Sequence, residues 1–228
     1  MKVVLLHAFP LDERMWEPQL ETLRDYEVVT PRLYGRGASL DEWAASLLEE
    51  NDGDLALVGA SLGGYTALAM TSRAPERIRG LGLVGARADA DSPERRAARA
   101  DTISLIEAGG ADALWANQRP KLLLDSASED AVARARELVL SQRTDELTGA
   151  VRALRDRDDN SATFESFGGP SLVAVGEGDQ FFTPDEAEAL AGRARHGRLR
   201  IFAGARHLPS LEQPDEFNAE LAGFLSDV

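Results

Sequence analysis

The chain contains no cysteine. Disulfides, thiolate metal sites and cysteine nucleophiles are therefore excluded. It has three histidines, His7, His196 and His207, and their scatter shows no metal-ligand spacing. No stretch approaches the length of a transmembrane helix. The apolar start Val3-Val4-Leu5-Leu6 has some signal-peptide character, but it stops at His7 and no small-residue cleavage site follows. A buried strand is the expected reading of that run, and cytoplasm the expected location. Internal repeats and low-complexity linkers are missing too. Positive charge is scarce: 25 Lys and Arg stand against 39 Asp and Glu, for a net charge of −14. Such a surface repels polyanions, so neither nucleic acid nor an anionic membrane is an expected partner.

What is present is ordinary for a globular chain. The 228 residues, 43% hydrophobic and 28% charged, suit one domain with a sizeable core. Short apolar runs predict strands at Val3–Leu6, Tyr26–Thr30, Asp54–Val58, Ile78–Val84, Ser171–Val175 and Leu199–Phe202. Helical spacing predicts helices over Met15–Leu23, with Trp16, Leu20 and Leu23 on one face, and from Leu62 to about Arg73. Ser39 with Glu42 forms a capping box for a helix reaching about Glu50. Further helices are expected from Pro184 to about Ala194 and over Asp215–Leu225. Strands alternating with helices imply a parallel sheet covered on both faces. Residues 88–166 break the alternation. They are rich in alanine, arginine and acids, show no convincing strand, and are punctuated by Gly109-Gly110, Pro120 and Asp158-Asp159-Asn160. Three or four short helices are expected there. The predicted organisation is a core of residues 1–87 and 167–228 with an inserted helical cap of residues 88–166.

The chemistry centres on Gly59-Ala60-Ser61-Leu62-Gly63, a G-x-S-x-G pattern between a strand and a helix. In that context it is a nucleophile elbow: the serine takes a strained backbone position, and side chains at the flanking glycines would clash. The helix that follows puts its first N–H groups where negative charge builds up in acyl transfer. Asp179 follows the fifth strand and His207 the sixth. Carboxyl ends of parallel strands share one edge, where ligands bind, so these three residues can meet. Ser61, Asp179 and His207 appear in the chain order that distinguishes one serine hydrolase fold from the others. Glu177 and Asp185 are alternative acids, although Asp185 better suits the first turn of the following helix.

Together with His7-Ala8-Phe9-Pro10, Gly35-Arg36-Gly37-Ala38-Ser39, Gly176–Asp179 and the ending His207-Leu208-Pro209-Ser210-Leu211-Glu212-Gln213-Pro214, these motifs resemble the α/β-hydrolase superfamily. The similarity is to its small serine esterases and enol-lactonases with a helical cap. It implies a three-layer α/β fold. Because the first strand begins almost at Met1, a reduced, all-parallel sheet of six strands in order 2-1-3-4-5-6 is expected.

The resemblance implies a cofactor-independent, metal-free hydrolase of small hydrophobic esters or lactones, working as a monomer or homodimer. Ser61 would be the nucleophile, His207 the base and Asp179 its orienting acid. The backbone N–H groups of Leu62 and Phe9 would form the oxyanion hole. His7, Trp115, Leu123 and Leu208 are candidate pocket residues. For Leu114, Trp115, Leu122 and Leu123, pocket lining and the cap's own core both remain open, and His7 fits loop-shaping better than proton transfer. Arg87 is a candidate for a substrate carboxylate or for a salt bridge to Asp89 or Asp91. Hydrolysis of an enol-lactone or of a C–C bond in a vinylogous diketone, and a ligand receptor on the same fold, are the alternatives. A hydroxynitrile lyase is disfavoured because Leu208 stands where those relatives place lysine after the histidine.

Overall fold

The computed structural model describes residues 1–228. Its centre is one sheet of six strands: β1 (Lys2–Leu6), β2 (Glu27–Val29), β3 (Leu55–Ala60), β4 (Ile78–Val84), β5 (Ser171–Gly176) and β6 (Gly197–Phe202). Their spatial order is β2-β1-β3-β4-β5-β6 and every pairing is parallel, as expected. β3 and β5 are buried along their whole length because both faces are covered. Side chains alternate between the two faces. Val4, Leu6, Leu57, Leu83 and Val173 belong to one hydrophobic cluster, whereas Val3, Leu5, Val58, Val84 and Leu172 belong to the other.

The register fixes where function can sit. Leu6 pairs with Gly59, Ala60 with Val84, Val84 with Ala174 and Gly176 with Phe202. These pairs align the carboxyl ends, so the residues that follow each strand emerge along a single edge.

Helices cover both faces. In chain order they are α1 (Glu17–Leu20), α2 (Leu40–Glu50), α3 (Leu62–Arg73), α4 (Pro93–Leu122), α5 (Glu129–Leu140), α6 (Thr144–Arg155), α7 (Ser161–Ser166), α8 (Pro184–Ala191), α9 (Pro209–Glu212) and α10 (Pro214–Ser226). None is long and apolar enough to cross a membrane. Residues 88–166 contribute α4 to α7 and no strand. α4 is far longer than the short helices expected, and its two halves meet at a kink where Gly110 has φ 62° and ψ −154°. Only glycine adopts that conformation readily. The kink lets Ile103, Ile106 and Leu114 join one cluster while Leu122 joins the other.

Two local expectations need correction. The helix expected over Met15–Leu23 is a 3₁₀ turn, Glu13–Trp16, followed by the single turn of α1. The 3₁₀ turn stops at Trp16 and α1 stops at Leu20, so no continuous helix holds the three residues on one face: Trp16 and Leu23 are buried but Leu20 is 41% exposed. The Ser39 capping box is half formed. Ser39 Oγ accepts the Glu42 N–H, but the Glu42 carboxylate accepts from Ala38 N–H rather than from Ser39.

Candidate active site

Ser61 is the only residue other than glycine with a positive φ (φ 48°, ψ −110°). Such a conformation costs about 1–3 kcal/mol and persists only where the surroundings impose it. Here they do. Ser61 N–H donates to the Val84 carbonyl (2.7 Å), and the Ser61 carbonyl accepts from Gly64 and Tyr65 N–H (2.9 and 3.2 Å). A Cβ on Gly59 would overlap the Gly63 carbonyl, and one on Gly63 would overlap the Leu6 carbonyl. The second closeness presses the start of α3 against the end of β1 and the loop that follows it.

That loop is organised by His7, which is wholly buried. Its Nε2 accepts the Leu33 N–H (3.0 Å), so Nδ1 carries the proton and donates to the Ala8 carbonyl (3.1 Å). Tyr34 packs edge-on at 4.9 Å and donates its hydroxyl to the Leu11 carbonyl (2.6 Å). Burial lowers the His7 pKa to about 4, so the ring is neutral near pH 7. The N–H groups of Phe9 and Leu62, at the loop and at the first turn of α3, donate to no protein acceptor.

His207 and Asp179 meet on the other side of the elbow. His207 Nδ1 lies 2.7 Å from Asp179 Oδ2, and both residues are buried. The other carboxylate oxygen accepts the N–H groups of Phe181 (2.8 Å) and Phe182 (3.2 Å), which fix its orientation. An ionised carboxylate only accepts, so Nδ1 holds the proton and Nε2 keeps its lone pair, engaged by no protein donor. Ser61 Oγ and His207 are not hydrogen-bonded to each other. They flank the same piece of backbone: Val84 receives the Ser61 N–H, and the next residue, Gly85, lies beneath the imidazole. A Cβ on Gly85 would sit 2.9 Å from His207 Cε1, and its φ of 60° also favours glycine.

The remaining candidates are redistributed. His7, Leu123 and Leu208 do not line an open pocket: His7 has both nitrogens committed to backbone, and the two leucines are wholly buried in the core cluster with Leu122, Leu138 and Val139. Leu114 packs in the other cluster. Trp115 is partly exposed against the first of these groups and stays available. Arg87 is bound to Asp89 (3.3 Å) and Glu186, while Asp91 pairs with Arg99 and Arg157. The salt-bridge reading therefore holds for Arg87. Neither Glu177 nor Asp185 is paired with His207.

Two neighbours of the site had no place in the sequence reading, and a third, Glu212, entered it only within the ending that follows His207. Gly85 was signalled by its position directly after β4. Phe181, two residues past Asp179, lays its ring 4.7 Å from that of His207, with Lys121 Nζ 6.0 Å from its far-reaching π face. Glu212 binds the backbone next to His207, and its carboxyl is pushed up by burial against the pull of two N–H donors. The arrangement suits transfer of an acyl group to a serine hydroxyl.

A parallel α/β sheet with a strained serine after β3 and an acid–histidine pair after β5 and β6 defines a class, and the comparisons agree with it. The chain belongs to the alpha/beta hydrolase family, whose model matches residues 3–220. It is similar to the pimeloyl-[acyl-carrier protein] methyl ester esterase of Aromatoleum aromaticum, with 29% identity over 94% of each chain. It also resembles 3-oxoadipate enol-lactonase 1 of Acinetobacter baylyi, with 24% identity over 99% of this chain and 89% of that one. Among solved structures, a thermophilic esterase from Thermogutta terrifontis superposes with a TM-score of 0.93 at 29% identity, covering 99% of this chain and 89% of the other.

Proposed function

We propose that this chain is a serine hydrolase that cleaves carboxylic esters or lactones of small hydrophobic substrates through an acyl-enzyme. The observation that carries the reading is the buried 2.7 Å contact between His207 Nδ1 and Asp179, which leaves the opposite ring nitrogen as a base beside the strained Ser61. In this reading His207 Nε2 removes the Ser61 proton as Oγ attacks the carbonyl carbon. The oxyanion receives the N–H groups of Leu62 and Phe9. His207 then returns the proton to the leaving oxygen, and the alcohol departs. Water, deprotonated by the same nitrogen, attacks the acyl-enzyme, releases the acid and restores Ser61. Asp179 keeps the tautomer and stabilises the imidazolium. Residues 88–166 act as the cap that selects the substrate, with Trp115 as a contact.

The names of the relatives favour esters and enol-lactones over the C–C bond alternative. A lactone differs in that its leaving oxygen stays tethered to the acyl group, and the same residues serve both substrates. The test is labelling by a fluorophosphonate probe, followed by a panel of aryl esters and lactones of graded acyl length. Labelling and turnover should both vanish in Ser61→Ala. Turnover that persists in that variant would refute Ser61 as nucleophile.

A further inference from the structure

We infer that Glu212 is a positioning residue that fastens the His207 loop to the end of the cap's long helix, so that the base is held in place from the cap side. This rests on the reading of His207 as the base and deepens it. Asp179 fixes the ring of His207 through Nδ1, but a ring is only as well placed as its backbone. The His207 backbone lies between two segments far apart in sequence, and four contacts join them.

Glu212 makes the first two. One carboxylate oxygen accepts the N–H of Arg206, directly before His207, at 2.7 Å; the other accepts the N–H of Leu124, just past α4, at 2.7 Å. His207 supplies the third, donating its own N–H to the Leu122 carbonyl at 3.1 Å. The fourth is the Arg206 guanidinium, which donates to the carbonyls of Pro120 and Leu123 (3.2 Å to Leu123) and so caps the last turn of α4. Gly178, next to Asp179, packs against Arg206 Cγ and Leu124 Cδ2 with no room to spare. Base loop and cap end thus converge on one carboxylate, with the acid loop packed beside the two residues it binds.

The chemistry explains why the residue is acidic. An ionised carboxylate offers two acceptor oxygens and no donor. Its two partners here are both N–H groups, on different segments. A glutamine of the same shape would turn its NH₂ toward one of them, donor against donor. Burial works against the charge and raises the Glu212 carboxyl, while the two N–H groups oppose that rise. Glutamate is held there at a cost that a merely surface contact would not justify. α9, which carries Glu212, starts two residues after His207, so the brace is short and stiff.

The test compares Glu212→Gln and Glu212→Ala with the unaltered protein. Each is first checked for cooperative thermal unfolding and then assayed for kcat and KM on an aryl ester. The His207 ring proton shared with Asp179 is followed by ¹⁵N-edited NMR, with His207→Gln to assign it. Displacement of a catalytic group by about 1 Å can cost about 100-fold in rate. The expected result is a kcat reduced about 10- to 100-fold with KM changed little, slower fluorophosphonate labelling in step with kcat, and a shifted or broadened His207 signal. Folded variants with kcat within about twofold of the parent and an unmoved His207 signal would overturn the inference. Failure of both variants to fold would overturn it too, in favour of a purely structural role. If the parent protein neither turns over esters nor labels at Ser61, the proposed function fails, and the NMR signal still reports on Glu212.

Discussion

Acid should attack this protein first through His7. In the folded chain the ring is wholly buried, and its Nε2 accepts the Leu33 N–H at 3.0 Å. Protonation would put an N–H against an N–H and place an unpaired charge among Leu33, Tyr34 and Leu6. Burial accordingly lowers the pKa from 6.5 to about 4. The unfolded chain takes up the proton below about 6.5, whereas the folded chain resists it until about 4. Between those values the unfolded state binds more protons, so stability falls as pH falls. The contribution is complete above about pH 6.5 and gone below about 4. The gap between 6.5 and about 4 is worth roughly 3 kcal/mol, at about 1.4 kcal/mol per pKa unit. That is a large part of the 5–15 kcal/mol typical of a folded domain, roughly speaking. Other groups titrate in the same range, so the measurement is a difference. His7→Gln keeps an acceptor for Leu33 but cannot take a proton. Urea unfolding of both proteins at several pH values between 7.5 and 4.5 gives two stability curves. The parent should lose about 2–3 kcal/mol more than the variant across that range. Curves that stay parallel would refute the argument, because they would mean that His7 titrates alike in both states.

Further perturbations follow from the packing around the elbow and the cap. Gly63→Ala drives a Cβ into the Leu6 carbonyl, and neither backbone can yield without moving β1 or α3; the variant should lose more than about 3 kcal/mol or fail to fold, as read by thermal melting. Gly149→Ala, in α6 with open space around it, should instead gain about 0.5–1 kcal/mol by helix propensity. Arg157→Ala removes one of the two partners of Asp91, whose side chain is wholly buried and 2.6 Å from the guanidinium, and leaves only Arg99 at 3.1 Å. It should destabilise by about 1–3 kcal/mol, less than a fully orphaned buried charge would, and Asp91→Asn should restore part of the loss in the double variant.

Most of the core was legible because it depends on local pattern. Val3–Leu6, Leu55–Val58 and Ser171–Val175 are apolar runs that can only be buried, and each lies inside an observed strand. The elbow was legible because Gly59, Ser61 and Gly63 act on one another within five residues. Asp179 and His207 were placed by topology, which puts every loop after a strand at one edge. Leu20 was misread because the helix is a single turn that ends at Leu20, and nothing in the composition marks that early end. The length of α4 was missed because Gly109-Gly110 signals a break, whereas the chain bends there and goes on. Leu123 was undecidable because an apolar side chain suits a pocket and a core equally. Glu212 was visible in the ending after His207, but its contact was not legible: its partner Leu124 is 88 residues away, and no local pattern announces such a contact.

The cap's attachment bears on how substrate choice and chemistry are coupled. Apolar faces can slide over one another at small cost, but hydrogen bonds to charged groups lose energy steeply with angle and distance. Residues 88–166, the proposed cap, make hydrogen-bonding or cation–π contacts beside each of the loops proposed to do chemistry. Arg157 is paired with Asp91, donates to the Asp89 and Leu154 carbonyls, and lies 4.1 Å over the ring of Tyr65, in the helix that starts after Ser61. Asp12, two residues past Pro10, accepts from Arg14 and from Gln142 at the turn between α5 and α6, both at 2.7 Å. Glu212 and Arg206 hold the end of α4 against His207. The helix after Ser61, the loop after β1 and the His207 loop are therefore each held to residues 88–166 by a polar or cation–π contact. A cap seated in this way has one position relative to the chemistry. Under the proposed function, Trp115 and exposed positions of α4 can then vary to change what is bound without moving the groups that react.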